Sequence, residues 1–513
     1  MATTDVTRQP RTDSHPSPGH GRTSWLWLAL GAGLLPFTTF QSVIPAAAWL
    51  APILLLRFAR TQRALVALPV LALVGYGATL VAMRGLWTPP ALYLWALPGL
   101  AIVLPYAADL LAARRLRGPL HTLVFPAVET ATAFLLSLDQ GSAFASWGTP
   151  GYTQVTNLSL AQVVSITGVW GLSFLILWTA PVVNHLWERR PARPLAMPYC
   201  VVLLAVLVYG GTRLALFPTS PTLPASSATV PMAGLAPDRE LDKAREAAAV
   251  RSGPRTEPER NRLFRLHLTP VLDDLFTRTR QAARAGAKIV AWSEAAGYVF
   301  KEEEAAFLQR ATAVAREEGI YLAVGVIVIL PTAGDPTNEN RTILIDPSGD
   351  VRWDYAKATR VPGDGNALGP GVLPIVDTPY GRLSTVICFD ADFPWLVRQA
   401  GRANVDVLLV PSSDWGPIGP VHADMAVIRA IENGVSILRP TRRGISIAID
   451  SQGRTLAMAD YFVGDDQTMT VSMPTAGTPT PYAVAGDAAG WASIAGLVIL
   501  GGVALLPRRR KTR

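Results

Sequence analysis

Three residues in the distal half of the chain, Glu294, Lys357 and Cys388, have the types needed for cysteine-based attack on a carbonyl. A carboxylate can take the thiol proton, an ammonium can lower the thiol pKa and stabilise an oxyanion, and the thiolate is the nucleophile. Cys388 is carried by Arg382–Pro394, where Leu383, Thr385 and Ile387 alternate with Ser384, Val386 and Cys388. That period-two pattern predicts a strand with the thiol at its end, broken by the Asp-Ala-Asp-Phe-Pro that follows. Each residue also has an ordinary structural reading. A lone Cys in an apolar run is a small buried hydrophobe, Glu294 can cap a helix, and Lys357 can be a solvated surface charge. Spacing alone does not bring the three together.

The elements that must position them alternate between two periodicities. Ala287–Glu294 reads as a buried strand ending on the carboxylate, preceded by helical spacing over 263–286 and followed by a helix over 302–318. Strands are predicted at Tyr321–Leu330, Thr342–Asp346 and Val405–Val410, and Ala228–Leu235 can open the first one. The charged stretch Asp238–Arg262 reads as an exposed arm or helix. The alternation predicts an α/β domain with a covered core.

The proximal half is different. The chain has 513 residues, too many for one ordinary core, and half are hydrophobic with only 16% charged. Mean hydropathy is +0.28. Apolar blocks near 24–40, 43–57, 64–83, 91–112, 119–137, 160–186, 196–217 and 489–507 predict about eight membrane spans, the first two short or divided by Pro36 and Pro45. The net charge of +8 falls in short clusters between these blocks, which argues against nucleic acid and reads as topology signals. Arg57–Arg63, Arg114–Arg117, Glu188–Arg193 and Arg508–Lys511 belong on the cytoplasmic side, which places residues from about 220 to 485 on the opposite face. The two cysteines, Cys200 and Cys388, have no metal-ligand or paired spacing, so neither a disulfide framework nor a metal site is expected. The predicted organisation is a disordered cytoplasmic tail (1–22, not a cleavable signal peptide), a membrane domain of about seven helices (23–218), a catalytic domain (219–485), a last span (486–507) and a basic tail (508–513). Gly168, Gly171, Gln162 and Thr167 at the start of a span, after the loop Ser146–Gln154, point to close helix contact or a lined cavity. Glu129, inside an apolar run, must face protein or water or sit at a helix end; no catalytic role is assigned to it.

The motifs around these residues resemble the apolipoprotein N-acyltransferases, the membrane-embedded branch of the nitrilase superfamily. Trp292-Ser293-Glu294 is similar to that family's Trp-Pro-Glu, Tyr355-Ala-Lys357 with Val361-Pro362 to its lysine motif, and Ile387-Cys388-Phe389-Asp390 to Ile-Cys-Tyr-Glu. Trp49-Leu-Ala-Pro52-Ile, Gly151-Tyr-Thr-Gln154, Thr167–Phe174 and Arg429-Ala-Ile-Glu432-Asn-Gly434 extend the likeness over nearly the whole chain. The resemblance implies a polytopic α-helical membrane domain plus an α/β nitrilase-like αββα sandwich domain outside the cytoplasm. It implies Glu294 as general base, Lys357 as oxyanion stabiliser and Cys388 as nucleophile. It also implies a glycerophospholipid acyl donor and a diacylated apolipoprotein as acceptor, with no cofactor; a monomer in the inner or plasma membrane is expected. This sequence departs from the family at Asp364, where Gly363-Asp364-Gly365 follows the lysine motif in place of Phe-Gly-Glu, at Ser293, at Asp390, and at Thr441-Arg442-Arg443-Gly444, where Thr-Asn-Asn-Gly is common. Arg442 and Arg443 suit a phosphate headgroup or a solvated loop. Phe389, Trp415 and His422 are expected to line or support the site.

Overall fold

The computed structural model describes residues 22–116, 118–139, 144–188, 192–216, 229–250, 257–331, 334–361, 363–464 and 466–505. The polar N-terminal tail, the linker before residue 229, the C-terminal basic cluster, and Arg117, Arg189, Arg190 and Pro362 of the quoted motifs lie outside these residues.

Six helices among the described residues are long and apolar enough to cross a membrane: 64–82, 91–112, 119–137, 164–187, 196–216 and 488–505. They coincide with six of the eight apolar blocks. The first two apolar blocks form helices Arg22–Leu34 and Pro45–Thr61, of 13 and 17 described residues. Proline sets both limits. Pro36 sits in a 3₁₀ turn just after the first helix, and Pro45 opens the second at the position where a missing N–H costs nothing.

Helix Val164–Trp187 contains a break within the glycine-rich motif, which the sequence did not announce. Gly168 adopts φ 64° and ψ 179°, outside helical space. The break leaves the Val169 N–H without an intrahelical acceptor, and it donates instead to Glu432 Oε1 of the catalytic domain at 2.7 Å. A Cβ at Gly168 would sit 2.5 Å from the Tyr482 ring, so close approach as well as positive φ requires glycine there.

The distal domain has two central sheets. In the first, the strand order is Thr468–Pro474, Thr229–Leu235, Ile289–Trp292, Tyr321–Ile329, Asn338–Ile345, Val351–Ala356, with parallel pairing at the centre and antiparallel pairing outward. In the second it is Thr455–Asp460, Ile445–Ile449, Ser436–Arg439, Val407–Leu409, Gly381–Thr385, Val376–Thr378. Ile289–Trp292 and Val407–Leu409 are buried at every position, the continuous apolar pattern of parallel strands covered on both faces. Met232, Ile289, Leu344, Leu383, Leu409 and Leu438 fill the space between the sheets. Helices Glu257–Arg284 and Glu304–Glu318 cover the outer face of the first sheet. Pro394–Arg402 and Gly419–Asn433 cover the second, and their far side shares one apolar cluster with Phe134, Trp170 and Leu172 of the membrane helices. The result is the αββα layering expected, seated on the bundle through its second helical layer.

Several predicted limits shift. Asp238–Arg262 includes a helix, Arg239–Val250, and the start of the next, while 251–256 lie outside the described residues. The strand before Glu294 ends at Trp292, and the one before Cys388 ends at Thr385. Cys388 opens a 3₁₀ turn, Cys388–Asp392, rather than ending a strand. The alternation continues past Thr385, but Val386 and Cys388 donate to Leu409 O and Pro411 O as the chain peels away from the sheet edge.

Gly168→Ala forces an L-residue into left-handed space against Tyr482, at a cost of at least about 1 kcal/mol before any clash. The variant is expected to melt at a lower temperature in detergent than the wild type. Gly33→Ala, whose Cβ would meet nothing within 4 Å, should not; equal melting of both would refute the role of the break.

Candidate active site

Glu294, Lys357 and Cys388 line one cavity of about 340 Å³. Sheet geometry explains why. Glu294 lies two residues beyond the central strand Ile289–Trp292, Lys357 just past edge strand Val351–Ala356, and Cys388 just past Gly381–Thr385 in the facing sheet. All three are buried, at 4%, 2% and 5% exposure, which leaves the two charges dependent on each other. Lys357 Nζ donates to Glu294 Oε1 at 2.8 Å, and Asn340 Nδ2 donates to the same oxygen at 2.7 Å. Oε2 remains available as an acceptor.

Electrostatics follow from burial. Desolvation alone would lower the Lys357 ammonium, but the adjacent Glu294 carboxylate outweighs it and holds the group above its ordinary value. Burial and the Glu294 charge push the Cys388 thiol well up, against the opposing pull of Lys357. The thiol is therefore protonated at rest, and attack requires a base at hand. Three non-glycine residues with positive φ, Ala295 at 53°, Cys388 at 48° and Arg443 at 55°, all face this cavity. Strained backbone collected at one pocket is a mark of a functional site.

Asp390 organises the cysteine turn. Its carboxylate accepts from Tyr355 Oη (2.9 Å), Ala358 N (3.1 Å), Thr359 N (2.8 Å), Thr359 Oγ1 (2.7 Å) and Ile387 N (3.1 Å). It thus ties the segment carrying Lys357 to the one carrying Cys388. Phe389 is buried, with its ring edge-on to Trp147. Asp364 Oδ2 stands 3.9 Å from Lys357 Nζ with its side chain 42% exposed, on the rim rather than in contact. Trp415 lines the cavity and donates Nε1 to Leu86 O of the membrane domain at 3.0 Å. His422 is buried beside the thiol and lines the cavity. Arg442 is taken up by Asp242 (2.8 Å) and Glu246 of helix Arg239–Val250, and Arg443 by Glu246 (2.8 Å), so these arginines latch that helix over the cavity.

Sequence reasoning missed Asn340, Trp147, Asp392, Asp414 and Arg439, all polar partners around the site. Asp414 stands directly before Trp415 and Asp392 two residues after Asp390, but no periodicity marks either. Arg429, fully buried, donates to Ala391 O at 3.1 Å, to Ser146 Oγ at 3.0 Å, and to Tyr152 and Glu432. Through it the cysteine turn is fastened to the membrane-domain loop that carries Trp147.

A sequence model of the carbon-nitrogen hydrolase family matches residues 246–477. Over longer stretches the chain is similar to the apolipoprotein N-acyltransferases of Geobacter metallireducens (27% identity, 74% of this chain and 73% of that protein) and Pasteurella multocida (26%, 75% of each). It is 37% identical to that of Haemophilus influenzae over 23% of each. Over about three quarters of its length the chain is similar to apolipoprotein N-acyltransferases. Among solved structures, an amidase from Nesterenkonia sp. aligns at 20% identity over 50% of this chain and 95% of its own, with a TM-score of 0.37. The match to the apolipoprotein N-acyltransferases extends well beyond the hydrolase domain, into the helices that seat it.

Asp390→Ala leaves buried donors at Tyr355, Ala358, Thr359 and Ile387 without an acceptor. Each unmet buried donor costs about 1–3 kcal/mol. The variant is expected to lose at least about 3 kcal/mol of stability, read as a lowered melting temperature; a melting temperature within error of the wild type would refute the organising role of Asp390.

Proposed function

We propose that this protein is a membrane N-acyltransferase of lipoprotein maturation, working through a thioester on Cys388. The observation that carries the reading is the buried Glu294–Lys357 pair at 2.8 Å, in one cavity with Cys388, walled by Trp147 from the membrane domain. Trp147 also lines a second, mostly apolar cavity of about 280 Å³ between the helices, bounded by Ala48, Met83, Trp95, Phe125 and Glu129. A hydrocarbon chain in that cavity would lie across Trp147 from the pocket that holds the thiol. A small-amide hydrolase has no use for such a compartment.

The reaction has two halves with one proton passed back and forth. Glu294 takes the Cys388 proton as sulfur attacks the ester carbonyl of a glycerophospholipid. Lys357 meets the developing oxyanion, the C–O bond breaks, and Glu294 returns the proton to the departing lysophospholipid oxygen. In the second half the α-amino group of a diacylglyceryl-cysteine at the lipoprotein N-terminus attacks the thioester. The N–C bond forms as C–S breaks, and the amine proton travels through Glu294 to the sulfur. No step calls on a metal or nucleotide. The catalytic domain stands on the extracytoplasmic side of a multi-pass inner or plasma membrane protein, since the basic loops face the cytoplasm. The acyl donor then comes from the leaflet against which the domain sits.

Expressed in cells lacking their own acyltransferase, the chain is expected to convert a reporter lipoprotein from a diacyl to a triacyl N-terminal peptide, read by mass spectrometry. An unchanged diacyl peptide would sink this reading. Cys388→Ala abolishes the conversion, and Lys357→Met lowers it by about a hundredfold or more, the usual effect of removing one oxyanion donor.

A further inference from the structure

Beside the thiol, and outside the Glu294–Lys357 pair, four buried ionisable side chains form a second charge cluster. His422 Nδ1 bonds Asp414 Oδ1 at 2.7 Å, and His422 Nε2 lies 3.0 Å from Asp392 Oδ2, an ion-pair contact not aligned as a hydrogen bond. Arg439 Nη2 donates to both oxygens of Asp414 at 2.9 and 3.1 Å. Exposure is 4% for His422, 4% for Asp414 and 2% for Asp392 and Arg439. The four come from four separate segments: helix Gly419–Asn433, the chain after Ser412–Ser413, the cysteine turn, and strand Ser436–Arg439. Cys388 Sγ lies within 4.8 Å of donor atoms of both Asp414 and His422. The Trp147 ring stacks edge-on against His422 and its Nε1 donates to Asp392 Oδ2 at 2.7 Å.

We propose that His422 is a positioning residue held as an imidazolium, whose charge, together with that of Arg439, balances the two buried aspartates and thereby keeps the Cys388 thiolate accessible. The arithmetic of the cluster makes the case. Asp392 and Asp414 contribute two negative charges within a few ångströms of a group that must itself become an anion. Arg439 offsets one, and only His422 is placed to offset the other. Without it the thiol would ionise against a net negative neighbourhood. Carboxylates on both ring nitrogens favour the doubly protonated ring, a donor on each side and a metal ligand on neither. Burial would by itself favour the neutral ring, but Asp392 and Asp414 outweigh it and hold His422 at about 9; Asp414 is correspondingly lowered. Of the other charged groups lining the cavity, Glu294 and Lys357 act most strongly on the thiol and are of opposite sign, while Asp364, Arg442 and Arg443 line it further out. Asp392 also receives the Trp147 indole, so the cluster carries the position of the membrane-domain loop to the cysteine turn.

This role presupposes the thiol chemistry of Cys388 proposed above, but its test needs no lipid substrate. The full chain in detergent is treated with iodoacetamide, and modification of the Cys388 peptide is followed by mass spectrometry, apart from that of Cys200. At pH 7.5, His422→Gln leaves the cluster at net −1 and is expected to slow alkylation about tenfold, the effect of one pKa unit on the thiol. Asp392→Asn leaves it at net +1 and is expected to accelerate alkylation about tenfold by the same relation. The double variant is neutral again and returns to within about twofold of the wild type. As pH rises past about 9, wild-type His422 loses its proton and its rate converges on that of His422→Gln. Single variants that shift the rate in the same direction, or not at all, would overturn the proposal, since packing damage has no reason to change sign with charge. Triacylation of a reporter is measured separately, so a protein with the opposed alkylation shifts but no acyl transfer would count against the proposed function alone.

Discussion

A carboxylate and an ammonium can be buried side by side only as a pair, and the geometry of this catalytic domain is built around that constraint. Glu294 and Lys357 sit at 4% and 2% exposure, where either alone would be an uncompensated charge in a medium of low dielectric. Their contact at 2.8 Å requires the ends of two non-adjacent strands in one sheet to converge. Asn340, on the strand between, fixes which carboxylate oxygen the lysine takes. With Oε1 committed twice, Oε2 is left for a proton. The pair is thus at once a condition of folding and, in the proposed reaction, the base and the electrophile.

The same economy governs the junction with the membrane. A helix crossing a bilayer normally satisfies every backbone group internally. Val164–Trp187 departs from this at Gly168, and the freed Val169 N–H is met by Glu432, itself paired with Arg429. Arg429 then reaches Ser146, Tyr152 and Ala391. A chain of buried polar contacts therefore runs from a break in a spanning helix to the turn that begins with Cys388. The mostly apolar cavity between the helices and the cavity that holds Cys388 share the Trp147 wall.

Much of this was legible in the residues. Short continuous apolar runs located Ile289–Trp292 and Tyr321–Ile329 because covered strands must be apolar throughout, and long apolar blocks located the six helices of spanning length among the described residues. The strand ends were less legible. Cys388 continues an alternating pattern, yet the ladder stops at Thr385, because pairing is decided by the neighbouring strand and not by the segment's own pattern. Spacing gave no sign that Arg442 and Arg443 would meet Asp242 and Glu246, about 200 residues away, so a headgroup and, ahead of it, a solvated loop were both open. The partners Asp392, Asp414 and Arg439 were invisible for the same reason: a buried polar cluster assembled from four segments has no period.

Charge balance joins these parts into one mechanism. Around the thiol stand a neutral pair, Glu294 with Lys357, and a neutral quartet, Asp392, Asp414, His422 and Arg439. In the proposed cycle the proton moves only between Cys388, Glu294 and the leaving or entering group, so the quartet never changes its charge while the pair does. A fixed, buried, neutral background lets one proton transfer dominate the local field, since in low dielectric each unbalanced charge nearby would weigh on the thiolate. The shift from Glu to Asp at position 390 fits this arrangement. The shorter carboxylate is spent entirely on holding Tyr355, Ala358, Thr359 and Ile387, which leaves it as scaffold and leaves the chemistry to the groups whose charges are free to change.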